Sequence, residues 1–229
     1  MKFGYYVFDL DNCLLKIPDP SNYFNNILIK SLKKLNSKII PNESERVQFW
    51  TSGPDYPKVL KKWGVNEPNR FWHTFDEVDF TNRKLLLSKK KINLFDDVFQ
   101  VLHELKQNNK KICLVSNTSE TIIEHIFEEF DMGHFFHSIF GMGAKKDESL
   151  AKPSPEGIKQ VLEEVNYNLR KSKDAIMVGD SYVDIFAAKR ADIHACLIKR
   201  DFDKYPDGYA DWEYKPDTII KDLKAILDL

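Results

Sequence analysis

Apolar residues along the chain fall into two patterns. Short unbroken runs stand at Tyr5 to Leu10, Lys111 to Ser116, Ser138 to Gly143, Ala175 to Gly179 and Ala195 to Ile198. Runs that do not alternate with polar residues suit strands buried on both faces of a parallel sheet. Elsewhere apolar residues recur at helical spacing. The sets are Val98, Val101, Leu102, Leu105; Ile122, Ile123, Ile126, Phe127, Phe130; Ile158, Val161, Leu162, Val165; and Ile219, Ile220, Leu223, Ile226, Leu227. Each predicts a helix with one apolar stripe. Strands alternating with helices predict an α/β fold with a doubly wound parallel, Rossmann-like sheet.

One interval breaks the rhythm. From about Asp19 to Lys91 there is no buried-strand pattern, whereas Phe24, Ile27, Leu28, Leu32 and Leu35 form an apolar helical face. Val47 to Trp50, Val59 to Trp63 and Phe71 to Leu87 read as helical or irregular, with breaks at Gly53-Pro54 and Pro68. Strand-to-helix connections are usually only about 2–6 residues. An insertion of this size predicts an α-helical cap domain at 19–91 inside a core made of 1–18 and 92–229. Its aromatics (Phe49, Trp50, Tyr56, Trp63, Phe71, Trp72, Phe75) are expected mainly to form the cap's own core, and Arg46, Lys58, Arg70, Arg83 and His73 are its candidate substrate contacts.

Composition narrows the class. Of 229 residues, 42% are apolar and 30% charged, as in ordinary globular proteins, and no apolar run reaches the length of a membrane span. Three separated cysteines, Cys13, Cys113 and Cys196, fit neither a disulfide framework nor a metal-thiolate site. With the early strand pattern at Tyr5-Tyr6-Val7-Phe8 in place of a secretory signal, a cytoplasmic protein is expected. The net charge of −1 offers no general attraction for nucleic acid or a membrane surface. An anionic ligand must be held by local chemistry.

Ligands of open parallel sheets collect beyond the carboxyl ends of the strands. Asp9 and Asp11 follow the first run, Ser116, Asn117 and Thr118 the second, and Gly179, Asp180 and Ser181 the fourth, with Asp184 close behind. Lys152 precedes Pro153-Ser154-Pro155 at a helix start. Taken singly, each has a plainer use as a turn, cap or surface residue. Together on one sheet edge, the carboxylates would repel one another and some would protonate. A hard divalent cation with oxygen ligands relieves this, and Mg²⁺ suits a few carboxylates plus a substrate phosphate. Ser116, backbone N–H groups and the Lys152 ammonium add donors for a phosphoryl group.

The motifs Phe8-Asp9-Leu10-Asp11-Asn12-Cys13-Leu14, Leu114-Val115-Ser116-Asn117, Lys152-Pro153-Ser154-Pro155 and Val178-Gly179-Asp180-Ser181-Tyr182-Val183-Asp184 stand in this order. The chain thereby resembles the haloacid dehalogenase superfamily over essentially its whole length. The match is to its phosphatase branch with a helical cap, phosphoglycolate phosphatase-like. The resemblance implies that Asp9 attacks phosphorus to form an aspartyl-phosphate and that Asp11 acts as acid and then base. It implies Mg²⁺ bound by Asp9, Asp180 and the Asp11 carbonyl, with phosphate held by Ser116, the Asn117 N–H and Lys152. Asp184 would orient a metal-bound water or Lys152. An acid at Asp11 favours phosphoester cleavage over dehalogenation. Cys13 stands where relatives commonly carry Thr, and a small buried thiol is expected there.

The expected function is Mg²⁺-dependent hydrolysis of a small phosphorylated metabolite by a monomer or homodimer. Two alternatives stay open. One is a phosphomutase of the same fold; the other is a non-catalytic binding or regulatory protein on this scaffold.

Overall fold

The computed structural model describes residues 2–143, 148–168, 173–200, 205 and 208–229. The chain divides into two compact units. One comprises Met1–Lys16, Asn93–Met142 and Lys146–Leu229; the other is Ile17–Ile92 with Gly143–Lys145.

In chain order the elements are β1 (Tyr5–Phe8), β2 (Leu15–Lys16), α1 (Pro20–Lys34), α2 (Glu43–Thr51), α3 (Tyr56–Lys62), α4 (Pro68–Ser88), β3 (Asn93–Leu94) and α5 (Val98–Gln107). There follow β4 (Lys111–Ser119), α6 (Glu120–Glu129), β5 (Ser138–Met142), α7 (Glu156–Glu164), β6 (Ala175–Gly179), α8 (Tyr182–Arg190), β7 (His194–Ile198) and β8 (Thr218–Ile220).

The first unit holds a six-stranded sheet in the order β5-β4-β1-β6-β7-β8, every pairing parallel. The expected α/β doubly wound sheet is present. The chain builds outward from β1 through β4 to β5, then returns to the other side of β1 with β6. That reversal opens a crevice at the carboxyl end of β1, where such sheets bind ligands. Side chains alternate across the sheet. Val7, Cys113, Val115, Met177, Ala195 and Leu197 pack with Ile158, Val161 and Leu162 of α7 and Ile185, Ala187 and Ala188 of α8. Tyr6, Phe8, Ile112, Leu114, Ile176, Val178 and Cys196, all fully buried, point to the opposite face, the side of α5 and α6.

Near the C-terminus the structure departs from expectation. Ile219 and Ile220 lie not in a helix but in β8, which pairs with β7, and Leu223–Leu227 form a short 3₁₀ turn. Thr218-Ile219-Ile220 is β-branched throughout, which favours a strand. The Asp222 side chain then accepts from the Lys224 N–H and starts the turn. A two-stranded antiparallel ribbon, β2 with β3, was also unforeseen. At two residues per strand it is too short to show a pattern.

Among the described residues of the second unit the regular elements are all helices. α1 begins after Asp19, whose side chain accepts from the Asn22 N–H, and α2 after an Asn42–Glu45 capping box. Phe49 packs its ring against Trp50, Trp63, Phe71 and Trp72, so the aromatics form this unit's own core. Of the candidate cap cations, Lys58 pairs with Asp55, Arg70 with Glu67, and Arg46 donates to the Pro41 carbonyl. His73 lies beside Glu77 on α4. Arg83 is wholly buried, its Nε 3.0 and 3.1 Å from the two oxygens of Asp79, which also accepts from the Tyr23 hydroxyl. This network joins α1 to α4.

Removing one partner of a buried ion pair strands the other charge, at a cost of about 3–5 kcal/mol. Asp79→Ala is therefore expected to lower stability by about that amount. Urea unfolding followed by tryptophan fluorescence checks it; a change within about 0.5 kcal/mol, typical of surface substitutions, would remove the network from this role.

Candidate active site

β1 ends at Phe8, and the chain then curls on itself. The Asp9 N–H still donates to the Val178 carbonyl at 3.0 Å, but the Leu14 and Leu15 N–H groups both return to the Leu10 carbonyl. Asn12 adopts a left-handed conformation with φ of 61°, which Asn tolerates better than most residues. The curl leaves Asp9 buried at the strand end, Asp11 half-buried and Cys13 fully buried. Burial pushes the Cys13 thiol well above its ordinary value, and its Sγ donates to the Val178 carbonyl. The thiol is thus neutral and structural, as expected.

Lys152 is the hub. Its ammonium lies 2.6 Å from Asp9 Oδ1, 2.6 Å from Asp184 Oδ1 and 2.8 Å from the Val115 carbonyl, which uses its three hydrogens. Burial opposes its charge, but Asp184 and Asp9 hold the ammonium above its ordinary value, so it stays charged. Asp184 spends its other oxygen on the Ser181 N–H (3.0 Å) and hydroxyl (2.8 Å). Gly179 makes that posture possible: a Cβ there would lie 2.2 Å from the Asp184 carboxyl carbon.

β4 supplies the next group. Its pairing with β5 slips between Val115 and Ser119, which takes residues 116–118 out of regular register. Ser116 is buried, and its hydroxyl accepts from the Thr118 N–H at 3.1 Å. The Asn117 amide grips the Lys152 backbone twice, donating to its carbonyl at 2.9 Å and accepting from its N–H at 2.8 Å. Thr118 Oγ1 donates to Asp11 Oδ2 at 2.7 Å.

One oxygen each from Asp9, Asp180 and Asp184 lie within 4.8 Å of one another. The Asp11 carboxylate is not in this cluster. Burial pushes the Asp9 carboxyl well above its ordinary value; Lys152 opposes that, and Asp184 and Asp180 add to it. Lys152 engages two of these carboxylates, Asp9 and Asp184, and the third, Asp180, adds negative charge beside Asp9. The donor set, all hard oxygen and partly buried, fits a hard divalent cation.

A model of the haloacid dehalogenase-like hydrolases matches residues 6–198. The chain belongs to this family. It is 28% identical over 225 residues to the pyrophosphatase PpaX of Listeria monocytogenes, covering 96% of this chain and 93% of that one. With PpaX of Bacillus cereus it shares 22% over 231 residues, covering 100% and 97%. Among solved structures, CbbY from Rhodobacter sphaeroides in complex with phosphate superposes with a TM-score of 0.73 at 18% identity, covering 99% of this chain and 100% of that one. A predicted phosphoglycolate phosphatase from Haemophilus somnus gives 0.66 at 21%, covering 100% and 98%. The chain is thus an enzyme, a hydrolase of the phosphatase branch of the family. Among its described residues no helix is long and apolar enough to cross a membrane.

In this haloacid dehalogenase-like chain a second clasp, which the residue pattern does not reveal, holds the curl after β1. The Arg200 guanidinium donates twice to the Cys13 carbonyl (3.1 and 2.7 Å) and twice to Asp97 (2.5 and 3.0 Å), and lies 4.0 Å over the Phe95 ring. Asp97 also accepts from the Leu223 N–H. Arg200 stands two residues past β7, so a cation beyond a strand's carboxyl end was the available signal. Thr118, beside Ser116-Asn117, was noted without its link to Asp11.

Burial raises the Asp97 carboxyl, but hydrogen bonds from Arg200 and Leu223 outweigh it and hold it below its ordinary 3.8. A carboxyl lowered in the folded state stabilises fully above its unfolded value, and that stabilisation is lost as pH falls through the folded one. Arg200→Gln is therefore expected to lower the urea midpoint at neutral pH, with the gap from wild type closing as pH falls below 3.8. A gap that stays constant with pH would show that Asp97 is not the linked group.

Proposed function

We propose that the chain is a Mg²⁺-dependent phosphomonoesterase that cleaves a small phosphorylated metabolite through an aspartyl-phosphate on Asp9. The observation that carries this reading is the buried Lys152 ammonium bonded to both Asp9 and Asp184, beside Asp180. It holds one Asp9 oxygen, and among the described residues the other accepts no hydrogen bond. An anchored carboxylate with one oxygen to spare suits in-line attack on phosphorus.

In the first half-reaction the spare Asp9 oxygen bonds to phosphorus, the bond to the ester oxygen breaks, and Asp11 gives its proton to the departing alkoxide. In the second, water bonds to phosphorus, its proton passes to Asp11, and the bond to Asp9 breaks. Ser116 and the Asn117 N–H hold the phosphoryl oxygens, and Lys152 offsets the charge on Asp9 and the phosphoryl group. Asp9, Asp180 and the Asp11 carbonyl would hold Mg²⁺, which when bound neutralises developing negative charge. Asp184, both of whose oxygens already serve protein donors, keeps Lys152 in place. Residues 19–91 form the cap that selects the substrate. Three free, buried cysteines agree with a cytoplasmic setting.

The PpaX relatives favour a second reading in which the same groups cleave pyrophosphate. Phosphate leaves more readily than an alkoxide, so that substrate depends less on a proton from Asp11.

Phosphate release from a panel of phosphorylated metabolites and pyrophosphate, with Mg²⁺, tests both readings. The wild type is expected to be active and to stop when EDTA removes the metal. Asp9→Asn is expected to lose roughly 10⁴- to 10⁶-fold, as loss of a nucleophile does. Undiminished activity in that variant would remove Asp9 from its role, and hydrolysis of pyrophosphate alone would replace the first reading with the second.

A further inference from the structure

We propose that Thr118 is a positioning residue for Asp11, fixing the carboxyl that exchanges protons in both half-reactions. The inference rests on the reading of Asp11 as acid and base given above.

Thr118 reaches two of the proposed site residues at once with its two donors. Its hydroxyl has a single hydrogen, and that hydrogen goes to Asp11 Oδ2 at 2.7 Å, near the commonest length for such a bond. Its N–H goes to the Ser116 hydroxyl oxygen at 3.1 Å, which leaves the Ser116 hydrogen to donate. The slip in pairing between Val115 and Ser119 gives Thr118 this posture, because a strand in regular register would direct its N–H into the ladder.

The placement of Asp11 makes this bond consequential. It lies on the curl after β1, half-buried, on a side chain that can rotate. Threonine is stiff at χ1, so its hydroxyl is a fixed reference point. With Oδ2 engaged, the carboxyl plane is set relative to the strand ends that carry Asp9 and Ser116. Misplacing a reacting group by about 1 Å can cost about 10²-fold. Thr118 thus ties the proton-exchanging group to the segment that holds the phosphoryl oxygens.

The test separates orientation from general damage through the leaving group. Nitrophenolate departs without a proton, whereas an alkoxide needs one. Mg²⁺-loaded wild type, Thr118→Val, Thr118→Ser and Asp11→Asn are compared on 4-nitrophenyl phosphate and glycerol phosphate, with thermal melts as the folding check. Thr118→Val is expected to slow glycerol phosphate hydrolysis about 10- to 100-fold while its pre-steady-state nitrophenolate burst stays within about 3-fold of wild type. Thr118→Ser, which keeps the hydroxyl, should recover most of the loss. If Val does not fold, Thr118→Ala set against Thr118→Ser makes the same comparison. Equal losses on both substrates, or none on either, overturn the role of Thr118. If Asp11→Asn then still loses selectively on the alkyl ester, the reading of Asp11 stands; if it shows no leaving-group dependence, both fall.

Discussion

A buried ammonium among buried carboxylates constrains everything around it. Lys152 is only 5% exposed, so each of its three hydrogens must be satisfied by protein, and Asp9, Asp184 and the Val115 carbonyl do so. Those partners come from the end of β1, from β4 where its pairing with β5 begins to slip, and from the start of α8. Parallel pairing through β1, with β4 on one side and β6 on the other, brings these ends together. The close approach of Asp184 to the β6 end at Gly179 completes the fit. Burial pushes the Asp9 carboxyl upward, and the nearby charges of Asp184 and Asp180 add to that push against Lys152. The oxygen donor set of these three clustered aspartates fits a hard divalent cation.

The backbone around this hub is held by side chains rather than by regular structure. The Asn117 amide closes both hydrogen bonds on the Lys152 peptide, Thr118 fastens Asp11, and Arg200 grips the Cys13 carbonyl. Each acts where a ladder is interrupted or has ended and polar groups need other partners. Rigid anchorage at the strand ends and irregular chain between them suit a site whose groups must stay aligned.

The helical unit rests on a different balance. Its aromatic cluster supplies non-directional burial, while Tyr23, Asp79 and Arg83 add a buried polar link between α1 and α4. Such a network costs desolvation and returns geometric definition of the two helices.

Much of this was legible in the residues. Unbroken apolar runs marked five strands of the sheet, because burial on both faces removes polar residues from a strand. The rule that ligands gather beyond strand ends singled out Asp9, Asp11, Ser116, Asp180 and Asp184, Lys152 stood out before a helix start, and family membership follows from the motifs they anchor. Local pattern failed at Thr218 to Leu227, where strand and turn together mimic helical spacing; only pairing with β7 decided between them. It also missed the partnerships of Asp11 with Thr118 and of Cys13 with Arg200, which span 107 and 187 residues. Composition and periodicity carry information about which face is buried. They carry none about which distant side chain meets a given carbonyl or carboxylate, because that is set by strand order and register, which exist only once the sheet has formed.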